Sequence, residues 1–470
     1  MSREEWIAKI EFIIGYVLFG ILLVFQYSRA FTYEETFLFI ELLLTYFWTA
    51  GLIVYAKIRF ALNVFEPIMI ISVLYEGIFV LKPVVDLRTH SMVEHGIAVI
   101  GGGPKATLLF AVGFTVLFFS YYLRYRRKEA LEEGGEVLLQ ERPIRNLPLL
   151  YGAWFVVYGL CIYCMLTQGM SLRYIFSFGT DGMRITDDSN TAMLFLSNFG
   201  VTLITLWLMI LEYSSNKWMK AVTTALGVLY ILMRNARWLM LTFIMAPVVL
   251  FYIKRRRQPR ILWLVLIGLG GLMVFAWMQV NRSVLAAGGA MQGWGKDGLT
   301  LKVLLAPLES DLSTYRTFYS MVGRYPAQYP YLLGSTFLYV IILFVPRAFW
   351  PAKPDNPVRS IIRNSLNEKA SLSGTAVANI GEFYANFGTV GIIGFMYLIG
   401  KICAALKRVV FSEKSQTGLL QNTQIAYAVS YPLLFQWVAR GNFSGNFYMM
   451  LFAMLPILLV NRLQKREKRA

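Results

Sequence analysis

Long apolar runs bounded by charged residues alternate with short polar connectors along most of the chain. The runs are about 18 to 22 residues long, which is the length that a helix needs to cross the hydrocarbon core of a bilayer. Inside lipid the backbone must satisfy its own hydrogen bonds, and runs this long and continuous are typical of helices rather than barrel strands. The pattern predicts an all-α polytopic integral membrane protein with about twelve transmembrane helices. The predicted spans are residues 9–27, 36–55, 67–85, 106–123, 148–166, 191–212, 220–233, 238–253, 261–279, 380–400, 420–438 and 446–461.

The composition supports the same fold class. Of the 470 residues, 57% are hydrophobic and 15% are charged, so the chain is more apolar and less charged than a soluble domain. Three cysteines do not make a disulfide framework. Cys161 and Cys164 form a C-x-x-C inside an apolar run, where apolar filling is favoured over a redox or metal pair.

Basic clusters predict the orientation, because Lys and Arg concentrate in cytoplasmic loops. Under the predicted spans, the clusters at 124–128, 254–257, 407–408 and 465–466 all fall on one side. Both termini are therefore predicted to be cytoplasmic. The same bias, together with anionic lipid, accounts for the formal net charge of +18, so no nucleic-acid partner is expected.

The spans divide the chain into three regions. Residues 1–279 carry the first nine predicted helices, residues 280–379 form a large extracytoplasmic loop, and residues 380–470 carry the last three helices and a cytoplasmic tail. Within the loop, residues 331–344 are apolar but too short for a full crossing, so they are interpreted as a re-entrant or interfacial segment.

Arginines on the predicted outer side give the strongest functional signal, since the positive-inside bias should deplete them there. Arg234 and Arg237 lie in a very tight corner between two spans, and Arg440 occupies the matching corner between the last two. Guanidinium groups bind phosphate oxygens in a two-pronged manner, so these residues suit a lipid-linked diphosphate. The alternative is snorkelling to lipid headgroups. The other outer arginines are Arg173, Arg184, Arg282, Arg316, Arg324, Arg347, Arg359 and Arg363.

Acidic residues on the outer side are candidates for a general base. Glu382 lies at the start of a predicted span, where it could deprotonate an acceptor hydroxyl or serve as the structural ion-pair partner of an arginine. Glu309 and Asp311 are the other candidates, on a short amphipathic stretch from 301 to 322. His90 and His95 are five residues apart without a supporting Cys or carboxylate triad, so no metal site is predicted.

Aromatic residues in and just after the loop, Trp350 and Tyr384 among them, could stack against sugar rings. They are equally expected in any interfacial aromatic belt. The sequence leaves these two interpretations open.

Several short motifs resemble the Wzy-type oligosaccharide repeat-unit polymerases of bacterial surface polysaccharides, including that of enterobacterial common antigen. In chain order they are Phe-Ala-Leu-Asn-Val-Phe at 60–65, Arg-Asn-Ala-Arg at 234–237, Val-Pro-Arg-Ala-Phe-Trp-Pro-Ala-Lys-Pro at 345–354, Gly-Glu-Phe-Tyr-Ala-Asn-Phe-Gly at 381–388, and Ala-Arg-Gly at 439–441. The chain departs from the family pattern at Met233 and Asn235, where Gly or Ser would flank the arginine. This departure leaves open which arginine corresponds to the family's corner arginine. Arg237 is favoured, because apolar Trp238, Leu239 and Met240 follow it.

The resemblance implies a GT-C-like polymerase or ligase architecture in the bacterial inner membrane, active at its outer face. The enzyme would transfer a growing undecaprenyl-diphosphate-linked glycan onto an incoming lipid-linked repeat unit, without metal or other cofactor. Membrane lipid and the chain-length regulator and flippase of the same pathway are the other expected partners. The implied catalytic residues are Arg237, Arg440, Glu382 and Arg347. The implied substrate-binding residues are Arg234, Arg282, Arg184, Lys353, Trp350, Tyr384, Asp311 and Arg316.

Two other functions remain open. An O-antigen-type ligase has a similar layout, but ligases typically carry a histidine in the large outer loop, and none lies between 281 and 380. A lipid-linked glycan transporter or flippase would distribute polar groups along its spans and show repeated halves, whereas the charge here is concentrated outside.

Overall fold

The computed structural model describes the backbone of residues 3–60, 62–125, 147–167, 198–234, 237–255, 259, 261–286, 294, 298–343, 345, 349–411 and 418–466. Within these ranges most of the chain is helical, and the rest is turns and irregular segments apart from one small hairpin. In that hairpin, strand β1 (Val93–Glu94) pairs antiparallel with strand β2 (Ile97–Ala98). The chain is thus an all-α membrane protein.

The helices before the long loop are mostly long and apolar. They are α1 (Arg3–Val24), α2 (Tyr33–Phe60), α3 (Pro67–Glu76), which continues through a π-helical turn (Gly77–Leu81) into α4 (Lys82–Arg88), α5 (Gly103–Tyr125), α6 (Leu147–Thr167), α7 (Phe199–Tyr213), α8 (Lys217–Arg234), α9 (Arg237–Lys254) and α10 (Ile261–Ala286). A 3₁₀ turn (Ile100–Gly102) precedes α5.

The loop itself contains short helices, and long helices return after it. The loop helices are α11 (Leu301–Leu312), α12 (Tyr315–Arg324), α13 (Ser335–Leu343), α14 (Pro357–Ser365) and α15 (Glu368–Leu372). The long helices are α16 (Asn379–Val410), α17 (Gly418–Arg440) and α18 (Phe443–Arg466). The predicted amphipathic stretch 301–322 is therefore two helices, and α13 is too short to cross a bilayer.

Six segments of the described chain are long and apolar enough to cross a membrane. They are Tyr33–Phe60, Pro67–Arg88, Ile100–Leu123, Leu147–Leu166, Asn379–Val410 and Phe443–Val460. The other predicted spans also coincide with helices, and their crossing remains a prediction. Large apolar side chains such as Val73 (60% exposed) and Val390 (77%) point away from the protein, as expected for surfaces that face lipid.

Helix α16 is not the continuous span that residues 380–400 were predicted to form. Phe387 and Gly388 leave the helical region, and Gly388 has φ +63° and ψ −145°. The Tyr75 hydroxyl contacts both Asn379 Oδ1, at 2.9 Å, and Met396 Sδ, at 3.7 Å. In a straight helix those two residues would be about 25 Å apart along the axis. Residues 379–386 therefore fold back as a half-helix against the rest of α16.

The loop helix α12 is built into the membrane domain. Phe318 packs edge-on against Phe79 in the π-helical turn, with ring centroids 5.7 Å apart. The Tyr319 hydroxyl lies 3.0 Å from the Thr107 hydroxyl in α5, and both residues are buried. The described part of the long loop is thus anchored on the ends of the membrane helices.

We expect Gly388→Ala to destabilise the protein, because a Cβ at this left-handed position would lie 2.6 Å from the Tyr331 hydroxyl. An alanine at this φ and ψ, a region essentially restricted to glycine, costs about 1–3 kcal/mol in backbone strain alone, which a thermal melt of the purified protein in detergent would register as a lower midpoint. Gly394→Ala is the matched control, since it lies in the same helix and a Cβ there would have no atom within 4 Å. Equal midpoints for the two variants would contradict the assigned break.

Candidate functional site

The corner between α17 and α18, on the predicted outer side, is a tight turn. Arg440 ends α17, Gly441 and Asn442 have φ values of +60° and +58°, and α18 begins at Phe443. A Cβ on Gly441 would lie 2.2 Å from the Val377 carbonyl oxygen. Only glycine permits both this φ and this close approach, so the corner has a fixed position beside the start of α16.

Arg440 is held at this corner but keeps part of its guanidinium group available. Its Nη1 lies 3.0 Å from Asp311 Oδ1, and its Nη2 donates to the Gly374 carbonyl at 2.9 Å. The side chains of Arg440 and Asp311 are 38% and 21% exposed. A guanidinium has five N–H donors, so these contacts orient it and leave donors for a phosphate oxygen. The structure brings together two predicted site residues that are distant in sequence.

Arg316 is in a different situation, although it was predicted to bind substrate. Its Nε and Nη2 both donate to Asp86 Oδ2, at 3.0 and 2.7 Å, and its Nη1 contacts Glu94 Oε2 at 3.0 Å. The side chain is only 15% exposed. All three guanidinium nitrogens are thus engaged, and Arg316 serves to fasten the loop to the end of α4.

Asp86 also accepts hydrogen bonds from two neighbouring side chains, Lys82 and Tyr315. Lys82 Nζ lies 2.7 Å from Asp86 Oδ1, and the Tyr315 hydroxyl donates to Asp86 Oδ2. Burial, reinforced by the negative charge of Asp86, raises the pKa of Tyr315 well above its ordinary value. Tyr315 therefore stays protonated and remains a hydrogen-bond donor across the physiological range.

His95 is a residue that the sequence analysis considered only for metal binding. It lies at the tip of the β1–β2 hairpin, where His95 (φ +48°) and Gly96 (φ +81°) form the two-residue turn. Its Nε2 is 3.0 Å from Thr375 Oγ1, 3.2 Å from Ser373 Oγ and 3.6 Å from Glu94 Oε1. A His-Gly pair between two short strand-forming stretches predicts such a turn, but its partner in the chain could not be read from the sequence.

These contacts join into one polar cluster, which we call the outer network. It runs from Asp86 through Arg316, Glu94 and His95 to the 373–375 segment and ends at Arg440 and Asp311. It connects α4, the hairpin, α12, the segment before α16, and the α17–α18 corner. Its Arg440 end is the more exposed, since Arg440 is 38% and Arg316 15% exposed.

Glu382 does not face the outer network as an accessible base. It is fully buried, and its two carboxylate oxygens accept the Phe443 N–H at 3.0 and 3.3 Å. Phe443 is the first residue of α18, so Glu382 caps the N-terminus of that helix, where a negative group is favoured. Its partner is a helix end and not the arginine that the sequence analysis had considered.

The remaining predicted binding residues are also largely structural where they are described. Lys353 is buried and donates to the carbonyls of Leu343 and Val345 at 3.2 and 3.0 Å, at the end of α13. Tyr384 is 1% exposed and donates to the Tyr325 carbonyl at 3.1 Å. Neither can stack on or grip a substrate in this arrangement. Trp350 is 38% exposed and remains accessible to a sugar or to lipid.

Arg184 and Arg347 lie outside the described residues, and the side chains of Arg234, Arg237 and Arg282 lie outside the described part of their helices.

Helix α9 packs along α17, and Tyr252 near the end of α9 and Tyr431 within α17 both contact the Phe65 ring. The predicted topology runs these two helices in opposite directions. In that topology Arg237, which begins α9, and Arg440, which ends α17, lie on the same side of the membrane.

The described residues contain no group of three or more His, Cys, Asp or Glu side chains placed to hold a metal ion. The chain matches no protein-family model, no curated protein and no solved structure. A function must therefore be argued from the site itself.

We predict that Glu382→Ala lowers stability, because it leaves the first N–H of α18 unpaired in a buried position. Loss of a buried charge-assisted hydrogen bond typically costs about 1.5–3 kcal/mol, measurable as a lower thermal midpoint in detergent. Glu368→Ala is the control, since that side chain is 61% exposed. It makes a 3.8 Å ion pair with Arg363 and accepts the Ser371 hydroxyl at 3.3 Å, both at the surface. An undiminished midpoint for Glu382→Ala, with activity lost, would instead favour a direct chemical role.

Proposed function

We propose that the protein is a lipid-linked oligosaccharide polymerase acting at the outer face of a bacterial inner membrane. It transfers the growing glycan from undecaprenyl diphosphate onto a hydroxyl of the next lipid-linked repeat unit. The bond between the anomeric carbon and the diphosphate oxygen breaks, and a bond to the acceptor oxygen forms. The carrier leaves as undecaprenyl diphosphate, and the acceptor hydroxyl loses its proton.

The observation that carries this proposal is the state of Arg440. It is a partly exposed guanidinium, oriented by Asp311 and Gly374 at a tight corner. The predicted topology puts the Arg237 corner on the same side of the membrane. Charge develops on the diphosphate as it leaves, and preorganised cations at that point stabilise the transition state. Arg440, with Arg237 supplied by the neighbouring corner, would form this diphosphate clamp.

The proton of the acceptor hydroxyl needs a base within hydrogen-bond reach. Asp311 and His95 are partly exposed members of the outer network and can accept a proton, whereas the buried Glu382 is already used as a helix cap. We therefore transfer the proposed base role from Glu382 to these two residues.

The proposed architecture retains the twelve crossings and both cytoplasmic termini predicted from the apolar runs and the basic clusters. A GT-C-like arrangement, in which re-entrant pieces frame a cavity open to the lipid, is supported by the folded-back half of α16 and by the insertion of α12. The flippase that delivers repeat units and a chain-length regulator are the proposed protein partners.

Arg440→Ala is expected to reduce polymer formation about 10²-fold or more, because one preorganised donor group for the leaving charge is lost. The assay combines purified protein with lipid-linked repeat units and follows the product ladder on a gel. Arg237→Ala should behave similarly, and Arg440→Lys should recover only part of the activity because a lysine cannot bind in a two-pronged manner.

Arg363→Ala is the matched control, because Arg363 is an outer arginine that is 54% exposed and far less constrained. It should leave the ladder unchanged. A full ladder from folded Arg440→Ala and Arg237→Ala proteins would refute the diphosphate clamp.

One observation favours the ligase as a second candidate. The long loop lacks a histidine of its own, yet His95 reaches it from the β1–β2 hairpin and contacts Ser373 and Thr375. The absence of a loop histidine in the sequence therefore no longer separates polymerase from ligase.

The two functions are distinguished by the acceptor. In a reaction supplied with both lipid-linked repeat units and lipid A core, a polymerase lengthens glycan on the undecaprenyl carrier, while a ligase moves it to the core. His95→Ala should lower the yield about 10²-fold if the imidazole is the base. His90→Ala, in which the other histidine of the same loop is removed (53% exposed), should retain activity; equal effects of the two changes would count against a role for His95.

A further inference from the structure

An acidic residue, Glu76, lies deep in the membrane domain, away from the outer network. Glu76 is the tenth residue of the 22-residue crossing Pro67–Arg88, immediately before the π-helical turn. It is 8% exposed, and neither carboxylate oxygen has a hydrogen-bond partner among the described residues. Ionisable groups at that depth are costly and mark functional positions, and π-helical turns frequently occur at such positions.

The hydroxyl groups around Glu76 cannot solvate a carboxylate. Thr49 of α2 interacts with Glu76, but its hydroxyl donates to the Thr45 carbonyl at 2.7 Å. Tyr16 of α1 and Tyr46 of α2 interact electrostatically with Glu76.

Both tyrosine hydroxyls likewise donate hydrogen bonds to backbone carbonyls. Tyr46 donates to the Tyr16 carbonyl at 2.9 Å, and Tyr16 donates to the Phe47 carbonyl at 3.0 Å. The hydroxyls of Thr49, Tyr46 and Tyr16 thus donate to backbone carbonyls, and none of them donates to the Glu76 carboxyl group. A carboxyl group in this setting can complete a hydrogen bond only by donating one.

Glu66, ten residues earlier, shows the opposite arrangement at similar burial. It is 2% exposed, pairs with Lys407 at 3.0 Å, and accepts the Asn63 N–H at 2.9 Å and the Tyr121 hydroxyl. Hydrogen-bond donors thus surround the Glu66 carboxyl group on three sides. The protein therefore surrounds the buried Glu66 carboxyl group with hydrogen-bond donors but does not do so at Glu76.

We propose that Glu76 is a proton-binding site in the membrane core, occupied at neutral pH, with the bound proton directed at the Thr49 hydroxyl oxygen. Loss of the proton would leave a buried charge without a donor or a cation, so the π-helical turn must rearrange whenever the site empties. The next residue, Gly77, lies against Leu312: a Cβ added to Gly77 would be 3.3 Å from the Leu312 side chain. Leu312 is the neighbour of Asp311 in sequence. The site is thereby connected to the outer network, although the proposal does not depend on the polymerase assignment.

Infrared spectroscopy of the purified wild-type protein in detergent at neutral pH tests this directly. The carbonyl stretch of a protonated carboxylic acid should be present, and Glu76→Gln should remove the intensity of one carboxyl group per chain. The amide of glutamine can donate to Thr49 as the acid does, so this variant should fold with an unchanged thermal midpoint. Glu66→Gln is the burial-matched control and should leave the band intact.

A second variant keeps the test decisive if Glu76→Gln does not fold. Thr49→Val removes the acceptor with little change of shape, so the acid band should persist but move in frequency. Absence of the band from the wild-type protein, or full intensity in folded Glu76→Gln, would overturn the proposal. A band that stays at the same frequency in Thr49→Val would overturn the assignment of Thr49 as the acceptor.

Discussion

A bilayer tolerates irregular backbone only where protein supplies the hydrogen bonds that water cannot, and the region around the break in α16 is organised by that constraint. The break in α16 exposes backbone groups at Ala385 and Asn386. The chain around 332–334 satisfies them: Leu332 and Leu333 N–H groups donate to the Ala385 and Asn386 carbonyls at 3.0 and 3.1 Å. The Gly334 N–H donates to the Asn386 side chain at 2.9 Å.

The position of the candidate site follows from that arrangement. Because the half-helix 379–386 is folded back, its Glu382 reaches the start of α18, and the preceding Val377 abuts Gly441. These two contacts fix the corner that carries Arg440. Arg316, which is paired with Asp86 and Glu94, stabilises the opposite side of the outer network. Arg316 therefore has a structural role, while Arg440 remains available to a ligand.

The sequence predicted the helical class and most helix positions, since apolar run length and charged boundaries are local properties. It did not predict the break at Phe387–Gly388, because the apolar run continues through it and glycine is tolerated in membrane helices. Asp311 and Arg440 were each selected as site residues. Their pairing across 129 positions depends on how α11 and α17 meet, which no local pattern encodes.

The sequence was least informative about whether a polar side chain faces a ligand or the protein itself. Three residues have the side-chain types expected of a glycan site, yet each is hydrogen-bonded to backbone groups of the protein: Lys353, Tyr384 and Glu382. The same motif can hold substrate or close a helix end, because both tasks require directed donors and acceptors. Only the location of the partner distinguishes them.

The cap that Glu382 places on α18 also makes the last two helices part of the central domain. A chain that stopped before α17 would leave a carboxylate enclosed without its N–H partner and would remove the turn that covers the Val377 carbonyl. The carboxyl-terminal hairpin therefore completes the interior of the preceding segment and is not a detachable appendage.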